Sequence, residues 1–65
     1  MRTLIVQTGC ENNIASFWID TTNDKFFVTY NYASSVYEFD EYTDMARRLQ
    51  IELNNGHKFV SILRQ

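Results

Sequence analysis

The sequence predicts an α+β fold: a single small domain over residues 1–65 with β-β-β-α-β order, in which one helix packs on one face of a four-stranded, mostly antiparallel sheet. Short runs of β-branched and aromatic residues alternate with clusters of Gly, Asn, Asp and Thr, as in strands joined by turns. One later segment repeats apolar residues at helical intervals. A chain of 65 residues, with 45% hydrophobic residues and a net charge of −2, suits one folded domain rather than a disordered chain.

Four segments have the composition of strands. Residues 2–7, RTLIVQ, predict the first strand, which ends at a cluster of turn formers over residues 8–13. Residues 14–20, IASFWID, and 25–32, KFFVTYNY, flank the turn TTND and predict a β-hairpin. Residues 57–64, HKFVSILR, predict the last strand. If strands alternate in direction, the last strand runs parallel to the first and lies beside it, in the order 3-2-1-4.

The segment before the last strand has the period of a helix. Its apolar residues recur at intervals of three and four, with Met45 beside the stripe: Phe39, Tyr42, Ala46, Leu49 and Leu53. The helix can begin at Ser35, which forms a capping box with Glu38, or at Asp40 if residues 36–39 are extended. Asn54, Asn55 and Gly56 favour its end.

Alternation along the strands sorts the sheet residues into two faces. The face under the helix is predicted to hold Leu4, Val6, Phe17, Ile19, Phe26, Val28, Tyr30, Tyr32, Val60 and Ile62. The opposite face is predicted to hold Ile5, Ile14, Trp18, Phe27, Phe59 and Leu63 among polar residues. A bulge would reverse the assignment of every residue after it.

The rings on the second face have no predicted element to cover them. The N-terminal arm or the segment 33–37 can fold over them, or a second copy of the chain can bind there. A different protein is the third possibility, because Trp, Phe and Tyr are efficient anchors at protein interfaces. Single-stranded nucleic acid is a weaker alternative, since only 6 Lys and Arg stand against 8 Asp and Glu.

No motif in the sequence indicates catalysis, a cofactor or a metal. One cysteine, Cys10, and one histidine, His57, cannot complete a structural zinc site, and a lone histidine is more often structural than catalytic. The only glycines, Gly9 and Gly56, cannot form a glycine-rich phosphate loop. We therefore expect no enzyme, no cofactor and no metal site. The N-terminus has an apolar run of only three residues, so we expect neither a signal peptide nor a membrane span but a cytoplasmic protein.

Four carboxylates lie close together before and within the start of the predicted helix: Glu38, Asp40, Glu41 and Asp44. Acids at this position are favoured by the helix dipole alone, so a solvated helix end explains them. They can also meet basic residues on another protein, in the way that small inhibitors fill a basic groove.

In size and composition the chain resembles the small proteins that phages and mobile elements encode to bind and disable a host enzyme. The resemblance implies a non-enzymatic protein-binding module, an inhibitor or modulator that sterically blocks a larger host protein or complex. It also fits a homodimer, and a structural homo-oligomer or a weak single-stranded nucleic-acid binder is the alternative. The residues predicted to bind the partner are Trp18, Phe27, Phe59, Glu38, Glu41 and Asp44.

Overall fold

The computed structural model describes residues 1–62 as five strands and one helix. In chain order these are β1 (Arg2–Cys10), β2 (Asn13–Asp20), β3 (Lys25–Tyr30), β4 (Ala33–Phe39), α1 (Tyr42–Asn54) and β5 (Lys58–Ile62). The strands form one antiparallel sheet in the order β4-β3-β2-β1-β5. The α+β class with one helix is confirmed, whereas the predicted four strands and β-β-β-α-β order are corrected by one additional strand. The predicted last strand ran to Arg64, and its residues Leu63 and Arg64 lie outside the described part of the chain.

The additional strand is β4, whose residues the sequence assigned to a connection and to the start of the helix. Phe39 pairs with Phe26 and Tyr37 with Val28, so the segment continues the β2–β3 hairpin into a third antiparallel strand. Val, Tyr and Phe favour a pleated, half-buried position, and here pairing with β3 prevails over the capping-box pattern of Ser35. The helix instead begins at Tyr42, with Glu41 as an N-cap that makes no side-chain capping bond.

The direction of the last strand also differs from the prediction. β5 lies beside β1, as expected, but runs antiparallel to it rather than parallel. The reason is topological: β4 adds one reversal of the chain, so α1 and β5 each run opposite to the predicted direction. Apart from this reversal, the predicted order 3-2-1 of the first three strands is observed, with the last strand next to the first.

The core lies between α1 and one face of the sheet. Its buried hydrophobic residues are Val6, Ala15, Phe17, Val28, Tyr30 and Met45. The helix buries Met45 and Glu52, and Leu49 packs against the core, whereas Tyr42 is 61% exposed. The buried side of α1 is therefore rotated from the predicted stripe. Of the stripe residues that lie in α1, only Leu49 packs against the core.

The predicted end of the helix is confirmed. Gly56 has φ +100, in the left-handed region that glycine adopts without steric cost. The His57 amide donates to the Glu52 carbonyl at 3.0 Å, and the Gly56 amide donates to the Leu53 carbonyl at 3.2 Å. These two bonds form a Schellman motif, which satisfies carbonyls that the helix leaves unpaired.

Register irregularities in β1 and β5 place several side chains on the face opposite to the predicted one. In β1 the register shifts between Leu4 and Val6, so Leu4 pairs with Trp18 and lies on the face opposite α1, while Ile5 packs against the core. In β5, Phe59 pairs with Thr8 on the covered face, not with the face that holds Trp18.

Two further assignments change. A Cγ atom of Val60 lies 3.2 Å from the position of a Cβ on Gly9, which places Val60 on the face opposite α1. Tyr32 was predicted under the helix, but it lies in the turn after β3 and is 57% exposed. Within the described residues, no helix is long and apolar enough to cross a membrane.

Candidate functional site

The sheet face opposite α1 is called the open face below. Over residues 1–60 it carries six apolar side chains: Leu4, Ile14, Trp18, Phe27, Val36 and Val60. Leu4 pairs with Trp18, Trp18 with Phe27, and Phe27 with Glu38. These pairs form one row across β1, β2, β3 and β4, so a tryptophan and a phenylalanine stand side by side at the centre of the sheet. Three of the predicted partner-binding residues, Trp18, Phe27 and Glu38, are therefore brought together.

Polar contacts hold the rings of the open face in place. The indole N–H of Trp18 donates to the Thr29 hydroxyl at 3.0 Å, so the ring keeps no unsatisfied donor. The guanidinium of Arg2 lies over the Phe27 ring, 4.1 Å from its centroid, at a distance typical of a cation–π contact. These contacts fix the two rings, and side chains that are already fixed lose little conformational entropy on binding.

The structure separates the other three predicted residues from this row. Phe59 is 52% exposed in the edge strand β5, opposite Thr8. Glu41 is exposed at the start of α1, and the Asp44 carboxylate accepts a hydrogen bond from Arg47 at 3.0 Å on the helix. The predicted acidic cluster is thus divided between the two sides of the sheet.

The fourth acid of the cluster has a partner within the chain. Lys25 donates to the Asp40 carboxylate in an exposed ion pair. This hydrogen bond, together with the charge of Asp40, raises the pKa of the Lys25 ammonium above its usual value. Asp40 therefore joins β3 to the segment that leads into α1.

A cleft of about 420 Å³ lies between β4 and α1, on the covered side of the sheet. Its lining combines apolar and charged side chains: Tyr37, Phe39, Asp44, Arg47, Arg48 and Ile51. The guanidinium of Arg48 lies over the Tyr37 ring, 4.5 Å from its centroid. Tyr37 and Ile51 are both exposed, so this cleft has apolar surface at its border along β4.

A chain of polar groups passes beneath the helix, and the sequence did not predict it. Arg48 Nε donates to the Tyr30 hydroxyl at 2.9 Å, and this hydroxyl donates to Glu52 Oε2. Glu52 Oε1 lies 3.4 Å from His57 Nε2, and His57 Nδ1 is hydrogen bonded to Thr8 Oγ1 at 3.0 Å. Sequence spacing could have indicated that Glu52 is buried. It follows Leu49 by three residues and Met45 by seven, so the three residues share one face of the helix.

The polar chain shifts two pKa values. Burial, and then the hydrogen bond to Glu52, raise the pKa of the Tyr30 phenol to about 12. The hydrogen bond to Tyr30 raises the pKa of the Arg48 guanidinium. Both shifts favour the protonated forms, so Tyr30 remains a neutral donor and Arg48 a cation beside the carboxylate of Glu52.

Thr8, His57 and Glu52 stand in the hydroxyl–imidazole–carboxylate order of a catalytic triad. Thr8 is fully buried, however, and a nucleophile must reach the substrate. The arrangement therefore satisfies buried polar groups instead of presenting a nucleophile. Over residues 1–62, no group of three or more His, Cys, Asp or Glu side chains is placed to hold a metal ion.

Comparison of the chain with protein-family models, curated proteins and solved structures finds no match.

Proposed function

We propose that the protein is a non-enzymatic protein-binding module that docks through the open face. The observation that carries this proposal is the row of Leu4, Trp18 and Phe27 on the side of the sheet that α1 does not cover. A sheet with one solvated face usually alternates apolar and polar residues and keeps large rings on the covered side. An apolar row bordered by polar side chains is instead typical of a surface that binds another protein.

The charges beside the row suggest the chemistry of the partner. Glu38 is exposed and stands next to Phe27 in the same row, and Glu41 is exposed a few residues further along the chain. A partner that projects an apolar side chain flanked by Lys or Arg would complement both features. Complementary charge would add specificity and a faster association rate, while the rings would supply most of the affinity.

The mode of action that we propose is steric. A chain of 65 residues that seats two rings in a larger protein or complex blocks the surface that it covers, without chemistry of its own. This is the action of an inhibitor or modulator of the type that phages and mobile elements direct against host proteins, and we propose a cytoplasmic location for it. The fully buried position of Thr8 supports a non-enzymatic role.

Affinity capture with matched variants tests the proposal. We expect the wild-type chain to retain one dominant protein from a host lysate, and Phe27→Ala and Glu38→Lys each to reduce its yield at least tenfold. Tyr42→Ala is the control, because Tyr42 is an aromatic residue, 61% exposed, that lies on α1 away from the open face. Circular dichroism should show that each variant keeps the fold.

Three results would count against the proposal. One is capture of the same protein at equal yield by all four chains, which would place the binding surface elsewhere. Another is the absence of any captured protein. The third is retention of labelled single-stranded DNA or RNA at low salt that is lost in Phe27→Ala, which would favour a nucleic-acid binder.

A further inference from the structure

The edge strand β4 has few of the charges and none of the prolines that normally keep sheet edges from pairing, and its one irregularity is a register shift against β3 between Val36 and Ala33. It is the outermost strand on its side of the sheet, and its outer backbone groups have no strand partner within residues 1–62. Its sequence, ASSVYEF, contains no Lys or Pro and a single charge, Glu38. Six of its seven residues are exposed. Natural edges of this length usually combine several protections, such as charges, prolines, bulges or a covering loop, since an unprotected edge is a template for another strand.

The hydrophobic core is also small, so association with a second chain would stabilise the fold. Among residues 1–60, whose burial the structure describes, six hydrophobic residues are buried. The chain forms no internal disulfide, because it has one cysteine. Chains of this size bury a small share of their surface and often gain stability as oligomers. Val36 and Tyr37, at the middle of β4, are 50% and 41% exposed, so apolar surface is available where a second strand would lie.

We propose that β4 pairs with β4 of a second copy of this chain, in antiparallel orientation around a two-fold axis, to form one ten-stranded sheet. A two-fold axis perpendicular to the sheet makes the two β4 strands antiparallel and keeps both helices on the same side. Such a contact closes on itself, so it forms a dimer and not a filament.

The charge distribution of β4 selects antiparallel pairing and its length selects the register. Val36 is the midpoint of Ala33–Phe39, so a register that pairs Val36 with Val36 of the second copy spans the whole strand. It sets residues 34 and 35, which have no partner in β3, opposite the regularly paired residues 38 and 37. Glu38 then faces Ser34 of the second copy, and the two Glu38 side chains lie at opposite ends of the contact. Parallel pairing would instead set the two Glu38 carboxylates beside each other, which is destabilising.

The dimer would join the two open faces. Val36 pairs with Thr29 of β3 and so lies on the open face, which places a valine pair at the seam between the two copies. Trp18 and Phe27 of both copies would then lie on the same side of one continuous sheet. The inference does not rest on the proposed function, because strand pairing at β4 needs neither ring, and Phe27→Ala should remain a dimer.

Sedimentation equilibrium of the full chain tests the dimer. We expect the wild type to have a mass near twice 7.7 kDa. Val36→Lys should restore the mass of one chain, because it places two like charges together on the axis, while circular dichroism shows that the fold is kept. Val60→Lys is the matched control, since Val60 is 53% exposed against 50% for Val36 and lies on the same face at the other edge of the sheet. It should remain dimeric.

Disulfide trapping tests the register in a Cys10→Ala background. Val36→Cys should cross-link to itself under mild oxidation, since paired Cα atoms in antiparallel strands lie within the range that a disulfide spans. Ser34→Cys should cross-link efficiently only when it is mixed with Glu38→Cys. A wild type that stays at 7.7 kDa at high concentration, equal dissociation of Val36→Lys and Val60→Lys, or no more trapping at Val36→Cys than at Val60→Cys would overturn the proposal.

Discussion

Glu52 is a carboxylate at a helix position where the packing would suit an apolar side chain. It is buried between Tyr30 and His57, which contact its two oxygens, and Arg48 Nε lies 3.5 Å from Oε2. Burying a charge is costly unless it is paired and hydrogen bonded, and both conditions are met here. No buried side-chain N or O atom of the described residues lacks a hydrogen-bond partner. The helix can therefore turn a glutamate towards the core.

Removal of this carboxylate should destabilise the fold. We expect Glu52→Ala to lower the free energy of unfolding by about 3 kcal/mol, because it leaves Tyr30, His57 and Arg48 without their shared acceptor. The exposed Glu41 is a control, and Glu41→Ala should change the free energy by less than about 0.5 kcal/mol. Urea denaturation followed by circular dichroism measures both. Equal stability of the two variants would contradict the buried role of Glu52.

Tyr30 should make stability depend on pH in the alkaline range. Its pKa is raised from 10.0 to about 12, so between these values the unfolded chain releases a proton that the folded chain retains. The contribution is fully present below pH 10 and is lost as the pH rises towards 12. Tyr30→Phe should therefore show a shallower decline of unfolding free energy over this range than the wild type.

Tyr42→Phe is the control for that measurement, because Tyr42 is exposed on α1. Urea titrations at a series of alkaline pH values give the slopes. Identical slopes for the wild type and Tyr30→Phe would show that the phenol is not held protonated by its surroundings.

At the scale of elements, composition located most strands but not the boundary between the sheet and the helix. The segment 33–41 contains a capping-box pattern, strand-forming residues and acids suited to a helix start. Local preferences of this kind differ by about 1 kcal/mol or less, so pairing of Tyr37 and Phe39 with β3 decides the outcome. The end of α1 was predictable because Gly56 has a conformational freedom that its neighbours lack.

Gly56→Ala tests that end of the helix. An added Cβ would meet no atom closer than Cys10 Sγ at 3.9 Å, so any cost comes from the left-handed backbone, φ +100, and not from a clash. We expect a loss of about 1 kcal/mol in the free energy of unfolding. Gly56→Asn should lose less, because Asn tolerates this region better than Ala. In thermal melts the melting temperature should fall in the order wild type, Gly56→Asn, Gly56→Ala. A Gly56→Ala variant as stable as the wild type would show that the backbone at this position is not strained.

At the scale of the whole molecule, strand alternation predicted half of the candidate site. Trp18 and Phe27 were assigned to the face away from the helix, and the structure places them there, side by side and next to Glu38. Phe59 was assigned to the same face and lies on the other, because the register of β1 and β5 shifts between Gln7 and Thr8. A register shift of one residue moves every side chain of a strand to the opposite face. The register depends on the partner strand, so the sequence of one strand does not predict it.

The sequence by itself determined the α+β class, the turn between β2 and β3, the end of the helix and the concentration of rings in β2 and β3. These follow from residue types with strong local preferences, such as glycine at a positive φ and β-branched residues in strands. The tertiary structure alone decided the fifth strand, the direction of β5, the burial of Glu52 and the faces of Leu4 and Phe59. Each of these depends on contacts between residues far apart in the chain, where pairing and burial contribute more free energy than local preference.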